Sequence, residues 1–202
     1  MIEWINFISL ILSILLFCYL YTLSLQPKKR SETRGERAWK EAAVHRSIAG
    51  ILEFVILLNT ILWIWFPVPQ FDWKIHSNMF VGIIIGIIIT VLGSIIMVKG
   101  MIDAGSETAK PSEDTELYEG IYKYIRHPQS LGEFPIFIAV AFMVNSWFLV
   151  IIMFLFNVIY VPIMVYYEEK DLIRRFGNDY EEYREKTGAL FPKVRSKKKK
   201  KA

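Results

Sequence analysis

The chain carries its charges in blocks. Five apolar stretches, from about Met1 to Leu25, Ile48 to Phe66, Met79 to Val98, Gln129 to Val144 and Trp147 to Tyr166, alternate with segments that hold nearly all the ionisable residues. At 1.5 Å per helical residue, roughly 20 residues cross the hydrocarbon core of a bilayer. Four stretches meet that length, and the fourth borrows a turn from Ile125 to Pro128. The expected fold is therefore all-α: a polytopic integral membrane protein with five transmembrane helices and a cytoplasmic C-terminal helix. Of 202 residues 53% are hydrophobic and 22% charged. Because the charges cluster instead of lining amphipathic faces, this composition excludes an ordinary soluble domain, a disordered chain, collagen and a solenoid repeat. The first stretch is too long for a cleavable leader, begins with Glu3 and lacks a small-residue cleavage site, so it is expected to be retained.

Lys and Arg number seven between Gln26 and Ser47, one between Pro67 and Asn78, four between Lys99 and Pro128, and twelve after Tyr166. Basic segments alternate with poor ones, which predicts the N-terminus outside and the C-terminus in the cytoplasm. The formal charge of +4 owes much to the run Lys197 to Lys201. That run suits anionic lipid headgroups, and nucleic acid is not an expected partner. A single cysteine, Cys18, permits neither an intrachain disulfide nor a cysteine metal cluster, and no metal site is expected. In the third stretch Gly82, Gly86, Thr90 and Ser94 form a small-residue stripe against which another helix can pack closely.

Ionisable residues at membrane depth are expensive and call for a partner or a role. Glu133 lies about one turn into the fourth stretch. It lines a polar cavity or binds a substrate group, or else it is protonated or capped by a neighbouring helix. Glu53, in the second stretch, reads as structural. Only Asn145 and Ser146 separate the fourth and fifth stretches, so these form an antiparallel hairpin. Counting from the turn, His127 lies about 18 residues back and Glu168 about 22 forward, each roughly 27 to 33 Å away. Arg126-His127-Pro128 and Glu168-Glu169 are thus predicted to converge at one mouth. Pro162, which cannot donate to Val158, and Pro135 are expected to open space between the two helices. A helix opened by Pro128 also presents free backbone N–H groups to an anion.

The run Gly120-Ile121-Tyr122-Lys123-Tyr124-Ile125-Arg126-His127-Pro128, followed by Gly132, Glu168-Glu169, Phe176-Gly177, Tyr180 and Tyr183, resembles the C-terminal signature of integral membrane methyltransferases. That superfamily includes isoprenylcysteine carboxyl methyltransferases, phospholipid N-methyltransferases and prokaryotic relatives. The resemblance covers roughly Glu107 to Pro192. It implies S-adenosylmethionine as cofactor and a lipid-like or lipidated small-molecule acceptor. It also implies a cofactor site drawn from Thr115, Glu116 and Leu117, from Tyr122, from His127, Pro128, Gln129 and Ser130, and from Glu168. To these we add Arg126, as partner of the cofactor carboxylate, and Glu169 behind it. Glu133 or His127 would take a proton from an amine acceptor.

Two positions depart from the pattern. Ser130 stands where relatives usually carry Tyr, and Met164 where the isoprenylcysteine enzymes carry an arginine, which argues against a carboxylate acceptor. A sterol-reductase-like enzyme using NADPH and a non-enzymatic scaffold with a decayed motif are the competing readings. Residues 1–98 are expected to form a three-helix scaffold, 107–192 the cofactor-binding part and 193–202 a basic tail. The segment Glu168 to Lys186, broken at Gly177-Asn178, reads equally as a lid over the cofactor or a helix on the membrane surface.

Overall fold

A computed structural model describes residues 1–113 and 119–193. Among these residues the chain forms seven α-helices and no strand beyond two isolated bridges. They are α1 (Ile2–Ser24), α2 (Pro27–Arg34), α3 (Arg37–Leu62), α4 (Phe80–Ala104), α5 (Pro128–Met143), α6 (Trp147–Phe176) and α7 (Asn178–Lys186). The helices α1, α3, α4 and α6 are long and apolar enough to cross a membrane, and α5 is an apolar helix of 16 residues. Leu12, Leu92, Ile95 and Ile159 are all more than half exposed on the outer faces. Apolar surface this continuous is tolerated in lipid and not in water. The protein is a polytopic all-α membrane protein.

Three helices exceed the apolar stretches that announce them, α4 by running on from Val98 to Ala104. The α3 helix starts at Arg37, eleven residues before Ile48, because Ala38, Ala42 and Ala49 continue its inward face and are fully buried. The α6 helix runs unbroken through Pro162 and on through Glu168 and Glu169 to Phe176. Gly177, at φ 56°, ends it and starts α7. The basic segment after α1 is also helical. Asp171 of α6 accepts the backbone N–H groups of Lys28 (3.0 Å) and Lys29 (2.8 Å), which caps α2 and ties it to α6.

The most extensive helix contact is α4 on α5. The stripe that makes it keeps Gly82 and Gly86 of the expected one and continues through Gly93 and Gly100, all four buried, whereas Thr90 and Ser94 are only partly buried. A strict four-residue step drifts around a helix of 3.6 residues per turn, whereas 82, 86, 93 and 100 keep to one face. Gly93 and Gly132 meet backbone to backbone. A Cβ on Gly93 would stand 2.5 Å from the Gly132 carbonyl oxygen, and one on Gly132 would stand 2.3 Å from that of Gly93. The α5–α6 turn is held by Asn145, at φ 59°, whose side chain bonds both the N–H and the carbonyl of His76. Between the ends Phe17, Phe134, Phe156 and Tyr160 form an aromatic core.

Candidate active site

The two polar clusters flanking the hairpin do converge. His127, just before α5, places Nδ1 2.8 Å from Glu168 Oε2 and Nε2 3.1 Å from Glu169 Oε1. Glu169 Oε1 also accepts from Arg126 Nε (2.8 Å) and Nη2 (2.5 Å), so one oxygen serves two cationic side chains. The Arg126 Nη1 donates to the carbonyls of Arg184 and Thr187. The Arg126 guanidinium is thus engaged by Glu169 and by two carbonyls of the α7 end.

The backbone after α7 completes the frame. Arg126 N donates to Gly188 O (2.9 Å) and His127 N to Ala189 O (3.0 Å). Tyr183 Oη donates to Tyr122 O (2.6 Å). Tyr122 Oη donates to Gly100 O and receives Gln129 Nε2 at 2.9 Å, while Gln129 Nε2 also reaches Thr108 Oγ1 at 3.2 Å. Asp103 seats the turn before α5 by accepting the Ile121 N–H at 2.7 Å. At that turn only glycine fits: Gly120 has φ 58°, and a Cβ would lie 2.1 Å from Asp103 Oδ2.

These residues line a cleft of about 910 Å³, counting its open mouth. Tyr122, Arg126, His127, Pro128, Gln129, Ser130 and Glu168 all face it. Glu169 stands behind them. Thr115, Glu116 and Leu117 lie outside the described residues, as does the basic run 197–201. Glu133 is not on the cleft wall. It lies one turn deeper along α5 than Ser130, within electrostatic reach of Glu53 of α3. Tyr21, which does line the cleft, is within electrostatic reach of both carboxyls and of Glu168.

Burial opposes a charge on His127, yet the carboxylates of Glu168 and Glu169 outweigh it and hold the imidazole pKa up to about 9. The ring is therefore an imidazolium at neutral pH. Burial pushes the Tyr122 phenol up to about 12, so it stays protonated. Ser130 and Met164, the two departures, contact each other: Ser130 Oγ donates to Met164 Sδ at 3.4 Å, both residues buried.

Three wall residues escaped the sequence reading as polar contributors. Arg46 enters from α3, Arg175 from the end of α6 and Tyr180 from α7. Arg175 pairs with buried Glu107 at 3.1 Å and lies over the rings of Trp39 and Phe176. Arg46 Nε, Arg175 Nε and Tyr180 Oη are buried without a hydrogen-bond partner among the described residues. All three residues line the cleft, which gives its wall donors beyond those of the hairpin. A signal for Arg46 was present. It follows Ala38 and Ala42 at four-residue steps on the inward face of α3.

Residues 81–179 match the phospholipid methyltransferase family. The chain is 27% identical over 157 residues to a methanethiol S-methyltransferase of Pseudomonas deceptionensis, a match covering 72% of this chain and 58% of that protein. It is 31% identical over 168 residues to methanethiol S-methyltransferase 2 of Bradyrhizobium diazoefficiens, covering 75% of this chain and 61% of that protein. The chain thus spans about three-fifths of the length of these relatives.

Proposed function

Because the chain belongs, through residues 81–179, to the phospholipid methyltransferase family, we propose that it is a membrane-embedded methyltransferase. It moves a methyl group from S-adenosylmethionine to a lipophilic or membrane-associated small acceptor. The observation that carries this is the cleft at the helix ends, lined by the His127–Glu168 pair together with Arg46, Arg175 and Tyr180. In this reading five helices span the bilayer, the N-terminus lies outside and the C-terminal helix is cytoplasmic. Residues 1–98 are the scaffold, 107–192 hold the cofactor and 193–202 lie near anionic headgroups.

The residues fit the cofactor's chemistry, which needs acceptors for hydroxyl and ammonium groups, donors for a carboxylate and a dry pocket for the base. When bound, it supplies a methyl already activated by a positive sulfur. The chain's task is then alignment and exclusion of water. Glu168 spends one oxygen on His127 and keeps acceptor capacity for hydroxyl or ammonium donors. Tyr122, Pro128, Gln129 and Ser130 form the adjoining wall, and we assign Thr115, Glu116 and Leu117 to the same site. Inside the cleft Tyr21 stacks on Phe17 at 5.3 Å, which backs the site with aromatic side chains.

The acceptor class we favour is a small thiol. The relatives carry methanethiol in their names, and fully buried Met164, bonded to Ser130, offers a carboxylate no partner. A thiol acceptor surrenders a proton as it is methylated, and we assign Glu133, backed by Glu53, to take it. Exchanging Glu133 for Gln should lower methanethiol turnover about 100-fold and leave cofactor affinity intact, with partial recovery in Glu133→Asp. Full activity in Glu133→Gln removes the assignment.

Calorimetry of the protein in lipid nanodiscs tests the reading. S-adenosylhomocysteine should bind, and Glu168→Ala and His127→Ala should each weaken it about tenfold or more, ~1.4 kcal/mol. A wild-type protein that binds none of it is no methyltransferase.

A further inference from the structure

Four cationic side chains face the cleft: Arg46, Arg126, His127 and Arg175. Three are neutralised by carboxylates, Arg126 by Glu169, His127 by Glu168 and Glu169, and Arg175 by Glu107. Among the described residues Arg46 has no such partner. Its Nη1 donates to two neutral carbonyls, those of Glu107 (2.9 Å) and Thr108 (3.0 Å). Its Nε is buried without a bond. A guanidinium fixed by neutral acceptors keeps its full charge, and holding that charge in a half-buried wall without a direct ion pair is unfavourable.

From this we infer that Arg46 is the carboxylate-binding residue of the cleft, and that the methionine end of the cofactor is the group it holds. The inference rests on the methyltransferase reading and adds a residue to it. The two carbonyl contacts occupy Nη1 and hold the guanidinium in place, while the Nε–Nη2 edge, the geometry that suits a bidentate carboxylate, has no hydrogen bond among the described residues. Glu168 lies within electrostatic reach of Arg46. The cleft therefore holds an unpaired cation and a carboxylate with spare acceptor capacity, complementary to the carboxylate and ammonium of an α-amino acid. Arg126, the residue first suggested for this task, is already committed to Glu169.

Two nucleosides separate this role from a structural one. S-adenosylhomocysteine carries the amino-acid end, and 5′-methylthioadenosine lacks it. Both are titrated by calorimetry into the unaltered protein, Arg46→Gln and Arg46→Lys in lipid nanodiscs. Arg46→Gln should weaken S-adenosylhomocysteine by about 10- to 100-fold while leaving 5′-methylthioadenosine within about twofold. Arg46→Lys, which keeps the charge but not the fork, should fall between. Equal weakening of both ligands, or of neither, in whichever variant folds would overturn the assignment while the methyltransferase reading stands. Failure of the unaltered protein to bind either nucleoside would overturn both.

Discussion

Replacing Glu169 by alanine is expected to cost the folded protein on the order of 3–5 kcal/mol, the usual penalty for removing one partner of a buried ion pair. One oxygen of Glu169 accepts from Arg126 Nε, Arg126 Nη2 and His127 Nε2. The side chains concerned are only 12%, 8% and 3% exposed, so water cannot take over as acceptor. The loss also loosens the end of α7, because Arg126 holds the carbonyls of Arg184 and Thr187. Glu169→Gln keeps an acceptor without the charge and should lose roughly half as much. Denaturant unfolding of detergent-purified protein reads both variants. A penalty below about 1 kcal/mol for Glu169→Ala would mean that the cluster is solvated and not buried.

Alkaline destabilisation is the second large effect. The His127 pKa in the folded protein is about 9, against 6.5 for the free side chain. The folded state therefore binds this proton more tightly than the unfolded chain. The associated stability is fully present below pH 6.5 and is lost as pH rises through about 9. At 1.36 kcal/mol per pKa unit, the contribution lost is about 3 kcal/mol. Melting temperature should fall from pH 7 to pH 10 in the wild type, and His127→Gln should remove that part of the decline. Superimposable pH profiles for the two proteins would show that His127 is not held as a cation.

The meeting of His127 with Glu168 was legible in the sequence because a two-residue turn leaves no freedom: equal lengths of helix on either side bring their far ends together. Hydropathy likewise marked all five apolar helices. It missed the true start of α3 and end of α6, since helical hydrogen bonding continues past the last apolar residue when alanine or a charged side chain still has something to pack on. Periodicity reports which face a residue occupies and not what lies opposite. Hence Glu53 and Glu133 looked like separate problems until α3 and α5 were seen to bring them together. The surroundings of Arg126 and Arg46 were illegible for the same reason. Adjacency to the His-Pro step suggested a ligand contact for Arg126, whereas Arg46 was counted only as one more basic residue in an orienting segment.

The backbone bonds from Arg126 and His127 to Gly188 and Ala189 bear on how the protein is made. By the time residue 189 leaves the ribosome, α1 to α6 have all been synthesised. During biogenesis the start of α5 must therefore wait, its backbone donors and the Arg126 side chain served by water, until the closing segment arrives. The cleft is the last part of the molecule to become competent, so a nascent chain in the translocon cannot bind a ligand there before its membrane helices are in place.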